Sequence, residues 1–160
     1  MQVTISGQFD HPELSEDTAL VVALGSLSDM APQAADHAPA LHLLVDDLAF
    51  EWEDFNYPQP HHVRRLLAFL DDERPTKLHV SCYAGVSRSA AFAAVALAFL
   101  DPVLSDDEVI AYIREARPGC FPNPLILAHA DALLSRDLSG ACERLLGSED
   151  WLPAGGADER

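Results

Sequence analysis

Positive charge is what this 160-residue chain has least of. Ten Lys and Arg stand against 26 Asp and Glu, giving a formal net charge of −16, and Lys77 is the only lysine. Nucleic-acid and anionic-membrane surfaces need clustered cations, so neither partner is expected. Cysteine is also sparse, at three: Cys82, Cys120 and Cys142. A small odd set argues against a disulfide framework and for a reducing compartment. Long apolar runs are missing, since the longest, residues 90–100, is about half of what a bilayer crossing needs. No basic start followed by a long apolar stretch opens the chain, so no signal peptide is expected. His61 and His62 adjoin, but His-x-His and His-Glu-x-x-His spacings are absent, so the reading is no metal and no cofactor. Apolar residues, in contrast, make up 49% of the chain. That is enough for a core and excludes global disorder. The bounded expectation is one acidic cytoplasmic domain over residues 1–147. The polar tail, 148–160, with Gly155-Gly156, is expected to be disordered.

Periodicity then places the elements. Val3-Thr4-Ile5-Ser6 alternates and stops at Gly7, which predicts a short strand. Residues 19–24 are continuously apolar, as in a strand buried on both faces. Residues 41–45 predict a third strand, halted by Asp46-Asp47, and 77–81 a fourth. Residues 28–40 read as loop with a short helix around Pro32, and 51–59 as a surface loop. From Pro60 the apolar positions Val63, Leu66, Leu67 and Leu70 share one helical face, with proline at the first turn. Residues 89–100 predict a buried helix. Ser105 with Glu108 three residues on predicts a capped start for a helix to about Ala116. Pro124 opens another through Leu134, and 139–146 the last. Strands alternating with helices predict an α/β fold, a single domain with a central, mostly parallel sheet of four to five strands flanked by helices.

The chemistry concentrates in Cys82-Tyr83-Ala84-Gly85-Val86-Ser87-Arg88-Ser89. A cysteine at a strand end, just before a helix N-terminus, faces backbone N–H groups that favour an anion. Such a thiol should exist largely as thiolate, and the same amides would bind a phosphate or sulfate that the sulfur could attack. Arg88 closes the ring of donors with a planar fork that grips two oxygens at once. Gly85 permits the backbone turn, and the Ser89 hydroxyl can stabilise the sulfur as a leaving group. Together these make a nucleophile and an electrostatic cradle for a tetrahedral dianion.

This segment resembles the phosphate-binding loop of cysteine-based protein tyrosine and dual-specificity phosphatases, His-Cys-x5-Arg-Ser/Thr, and residues 84–90 are similar to the dual-specificity branch. Leu43-Leu44-Val45-Asp46-Asp47, Pro60-His61-His62-Val63 and Pro122-Asn123-Pro124 resemble small bacterial tyrosine-phosphatase-like proteins, so that the likeness covers roughly residues 19–136. The resemblance implies a dual-specificity-phosphatase-like fold and a phosphatase that forms a phosphocysteine on Cys82. Tyr83, Ala84, Gly85, Val86, Ser87 and Arg88 would bind the phosphate, and Ser89 would assist the sulfur. It also implies an aspartic acid about 35 residues upstream as general acid. Asp46 and Asp47 both stand there, and Asp47, followed by Leu48, is preferred. Asn123 would brace the loop. Ser81 occupies the position where the family has histidine, which implies a less readily ionised thiol and slower chemistry. Substrates would be phosphorylated proteins or small phosphomonoesters.

Two other classes compete with the enzyme. A pseudophosphatase-like module would hold phosphoresidues with weak turnover, and Ser81 motivates it. A sulfur- or arsenate-transfer enzyme would share the Cys-x5-Arg loop but would need cycling cysteines, and the spacing of Cys120 and Cys142 gives no support. Those two read as packing residues, with a regulatory Cys82–Cys120 disulfide as a minor alternative. His62 and His129 read as structural, Tyr83 as a rim residue, and the acidic runs 51–54 and 106–108 as solvated faces.

Overall fold

Four parallel strands carry the chain from edge to edge in the order β1-β4-β2-β3: β1 Gln2–Ser6, β2 Thr18–Leu24, β3 Ala40–Leu44 and β4 Lys77–Ser81. This is a computed structural model, and it describes residues 1–26 and 36–147. The helices are α1 Pro60–Glu73, α2 Arg88–Leu100, α3 Asp106–Ala116, α4 Pro124–Leu134 and α5 Leu138–Leu146. The α/β expectation holds, with four strands among the described residues and every pairing parallel. Element ends differ from the sequence reading by a residue or so. β3 begins at Ala40 and ends at Leu44, although Val45 N still donates to Leu24 O at 2.8 Å. Most of the loop and short helix expected at 28–40, and the tail from Ser148, fall outside the described residues.

Alternation divides the sheet. Val3, Ile5, Ala19, Val21, Leu43, Leu78 and Val80 join the core cluster shared with the helices. The intervening Thr4, Ser6, His79 and Ser81 lie on the other face, because successive strand residues point to opposite sides. α2 is apolar all round, and residues 90–98 are at most 3% exposed. A helix with no polar face must be covered on every side. Accordingly α1, α3, α4 and the sheet all pack on it. Its alanines let those neighbours approach closely while favouring the helical state.

The caps follow the sequence. Ser105 Oγ accepts from Glu108 N at 3.1 Å, and Glu108 Oε2 accepts from Ser105 N at 2.8 Å. The acidic run 106–108 is therefore more than a solvated face. Asp106 also takes Arg136 Nε at 2.5 Å and Asp137 N at 3.0 Å. Asp107 pairs with Arg144 at 2.7 Å. Asp106 thus ties the start of α3 to the α4–α5 junction, and Asp107 ties it to the last turn of α5. Glu51, Trp52, Glu53 and Asp54 are exposed, as the loop reading expects. No helix among the described residues is long and apolar enough to cross a membrane.

Candidate active site

β4 delivers Cys82 to the C-terminal edge of the sheet, and α2 begins six residues later at Arg88. The intervening loop is held by its carbonyls. Tyr83 O accepts from Gln8 N at 2.9 Å. Ala84 O and Gly85 O accept from Arg117 Nη2 and Nε, each at 3.2 Å. Val86 O accepts from Phe121 N at 2.7 Å, and Ser87 O from Asn123 N at 3.1 Å. Five consecutive carbonyls are thus drawn outward. None of the amides of residues 83–87 donates to another protein group among the described residues. A run of N–H groups with their carbonyls tied back is the construction of an anion-binding nest.

Glycine is needed twice for this. Gly85 has φ +72°, the left-handed region, and a Cβ there would lie 2.4 Å from Gly7 N. At Gly7, a Cβ would lie 2.8 Å from the carbonyl carbon and oxygen of Ala84. The segment after β1 therefore runs backbone to backbone beneath the loop, an approach that only glycine allows.

Cys82 is 5% exposed, and its Sγ is hydrogen-bonded to Ser89 Oγ at 3.1 Å. Arg88, the first residue of α2, is buried and donates Nη1 to Val45 O at 2.9 Å. The end of β3 thereby orients the guanidinium. The two neighbouring aspartates diverge. Asp46 is 9% exposed. Its Oδ1 accepts from Ser26 N at 2.7 Å, and its Oδ2 from Asn56 N at 2.9 Å. Burial pushes its carboxyl up. The hydrogen bonds from Ser26 and Asn56, with the charge of Arg88, outweigh that and hold it below the ordinary carboxylate range. Asp46 is a strut between two loops. Asp47 is exposed at the loop's lip. Its Oδ1 accepts from Ser87 Oγ at 2.7 Å and from Asn123 Nδ2 at 2.9 Å. It lines an open cleft of about 240 Å³ with Ala49, Ser87, Phe121, Asn123 and Pro124.

Asn123 joins three parts. Its Oδ1 caps α4 through Leu125 N and Ile126 N. Its Nδ2 holds Asp47 and, at 3.0 Å, Leu48 O. Its N–H holds the loop at Ser87. The structure therefore gathers Cys82, Ser87, Arg88, Ser89, Asp47 and Asn123. Ser81 is different: buried on the opposite sheet face, it makes no side-chain hydrogen bond to the described residues. Four residues that hold the loop were not singled out from sequence: Gly7, Gln8, Arg117 and Phe121. Arg117 also pairs with Asp10, whose carboxyl that bond draws down. The cue for Arg117 is its place at the end of α3, just upstream of Pro122-Asn123.

The remaining candidates are structural. His62 Nδ1 accepts from Gln59 N at 3.0 Å, so its Nε2 carries the proton and donates to Leu44 O at 2.9 Å. Burial, and then the adjacent His61, push the pKa of that ring below its ordinary value. His129 bonds Pro58 O at 2.9 Å. All three cysteines are free and buried. Burial raises the Cys120 thiol and lifts Cys142 to about 11, which suits packing residues.

No family model and no curated protein matches the sequence. Solved structures do match in shape. Human DUSP28 superposes with TM-score 0.59 at 21% identity, covering 83% of this chain and 94% of that one. Tk-PTP in its active form gives 0.55 at 20%, covering 76% and 81%. The human tyrosine phosphatase-like serine/threonine/tyrosine-interacting protein gives 0.56 at 18%, covering 74% and 78%. At these identities the likeness is one of architecture, and the chain has the fold of the tyrosine and dual-specificity phosphatases.

Proposed function

We propose that this protein hydrolyses phosphate monoesters through a phosphocysteine on Cys82. The observation that carries the reading is the loop of outward-tied carbonyls around a cysteine whose sulfur is bonded to Ser89. In the first step the Cys82 thiolate attacks phosphorus. The S–P bond forms as the P–O bond to the leaving alcohol or phenol breaks, and Asp47 gives its proton to the departing oxygen. In the second, water attacks phosphorus and loses its proton to Asp47, while the S–P bond breaks and Ser89 supports the departing thiolate. The amides of residues 83–87 and the Arg88 guanidinium hold the three equatorial oxygens through both steps.

The rim narrows the substrate. Tyr83, Ala84 and Val86 are exposed on the loop, and Phe9, 71% exposed, stands edge-on to Tyr83 with centroids 5.4 Å apart. Arg88 is the loop's one cation. An apolar mouth on a chain of charge −16 suits an aryl or alkyl monophosphate, on a protein or free, over a polyphosphorylated head group. Ser81, without a direct bond, also supports the second reading, a phosphoresidue-binding module with slow turnover.

Metal-free p-nitrophenyl phosphate turnover between pH 5 and 8, inhibited by vanadate and abolished in Cys82→Ser, is the expected result. Asp47→Asn should lower kcat by roughly 10²- to 10⁴-fold with an unchanged fold. Asp46→Asn should cost about 1–3 kcal/mol of stability through its unmatched partners. No Cys82-dependent turnover would sink the enzyme reading. Stoichiometric phosphate binding without a burst of p-nitrophenol would favour the binding module.

A further inference from the structure

Behind the loop, on the face of the sheet away from α2, lies a void of about 10 Å³, room for the centre of one water molecule. Gln8, His11, Ser81, Cys82 and Tyr83 line it, with the end of β2. Gln8 is only 7% exposed, yet its Nε2 has no hydrogen-bond partner, and neither has the buried His11 Nε2. The two atoms are complementary. The Gln8 amide nitrogen can only donate. His11 Nδ1 is 2.9 Å from Pro12 O, which can only accept. Nδ1 therefore carries the proton, and Nε2 of the neutral ring presents a lone pair.

We propose that this void is a binding site for one structural water, which accepts from Gln8 Nε2 and donates to His11 Nε2, and that Gln8 and His11 are positioning residues for the Cys82 loop. Buried water characteristically makes about three hydrogen bonds, and the Ser81 hydroxyl, on the same wall, supplies the third. Gln8 then acts twice. Its main-chain N–H holds Tyr83 O, and its side chain anchors the water behind Ser81 and Cys82. Left unbridged, two buried polar atoms would pull the segment after β1 toward other partners. That segment sets the direction of the Tyr83 carbonyl through Gln8 N and packs Gly7 against the Ala84 carbonyl. Beside His11 stand the ring of His79 on β4, at 4.9 Å, and its chain neighbour Asp10, which pairs with Arg117 from the end of α3.

The first test needs no variant. A crystal structure of the whole chain at about 1.2 Å should show a water within hydrogen-bond distance of both nitrogens. A dry void there, or Gln8 turned to a protein partner, overturns the proposal. The second test measures iodoacetamide inactivation of Cys82 against pH, with and without inorganic phosphate, so it does not depend on turnover. Gln8→Leu and His11→Ala should each move the profile to higher pH and weaken phosphate protection. His11→Gln, which keeps an acceptor, should restore most of both. Unchanged profiles overturn the positioning role. The kinetic arm rests on the phosphatase reading: kcat for p-nitrophenyl phosphate should fall about tenfold, the scale of a small misplacement of the reacting group. If the wild-type chain lacks turnover, that reading fails, while the water and the alkylation profile still decide this one.

Discussion

On one face of the sheet Val3, Ile5, Val21 and Val80 press against α2, where Phe92 is fully buried. On the other, Thr4 Oγ1 and Ser6 Oγ each sit 2.7 Å from a ring nitrogen of His79, and His11 packs against the same ring. The first face is dry and non-directional. The second mixes Leu20 and Val22 with hydroxyls and imidazoles whose bonds have fixed directions. Cys82 stands where the two meet. Its side chain belongs to the apolar cluster, while the loop that begins with it is tied to the segment after β1. Burial fixes where the sulfur lies, since hydrophobic packing rewards area and not orientation. Hydrogen bonds fix which way the backbone faces, since they weaken steeply with angle.

The sharpest way to break the dry face is Phe92→Ala. Truncating a fully buried aromatic costs about 3–5 kcal/mol through lost transfer energy and the cavity left behind. Denaturant unfolding should show that loss, with p-nitrophenyl phosphate KM unchanged in the fraction still folded. A loss under about 1 kcal/mol would mean that α2 repacks freely and does not set the position of Cys82.

The polar face should respond to acid. Burial, with help from His11, pushes His79 from 6.5 down to about 4. The folded chain keeps this ring neutral, while the unfolded chain binds a proton below pH 6.5. Stability is therefore lost as pH falls from 6.5 to 4, by about 3 kcal/mol in all. Asp46 works lower on the scale, because its depressed carboxyl gives up its contribution only as pH falls through its own folded-state value. His79→Gln should flatten the stability profile between pH 6.5 and 4. Equal losses in the wild-type chain and the variant would show that other groups carry the acid sensitivity.

The same division explains what was legible in the sequence. Cys82 through Ser89 is a local pattern, and the starts of α1, α3 and α4 announce themselves by Pro60, the Ser105–Glu108 pair and Pro124. The apolar face reads directly from alternation. The supports of the loop do not, because they are contributed by Gly7, Gln8, Arg117 and Phe121, none of them near the loop in sequence. Their residue types carry no signal until β1 is placed beside β4. Asp46 and Asp47 differ only in which way a strand end turns. Composition cannot decide that, and the amides of Ser26 and Asn56 do.

The smallest expected effect lies at the seam itself. Ser89 Oγ is 3.1 Å from Cys82 Sγ and fully buried, so Ser89→Ala removes one hydrogen bond and little volume. A bond to a charged sulfur contributes about 1.5–3 kcal/mol. That contribution acts whenever sulfur carries the charge, hence when the thiolate attacks and again when it departs. Stabilising the attacking thiolate also makes it less nucleophilic, so the two effects oppose each other in the first step. In the second they do not, because there the bond only helps the sulfur leave. Ser89→Ala should therefore slow breakdown of the phosphocysteine more than its formation. A rapid p-nitrophenol burst, followed by a steady rate about tenfold below the wild-type one, is the signature to look for. Equal slowing of both phases would place the Ser89 bond among the groups that merely pack the loop.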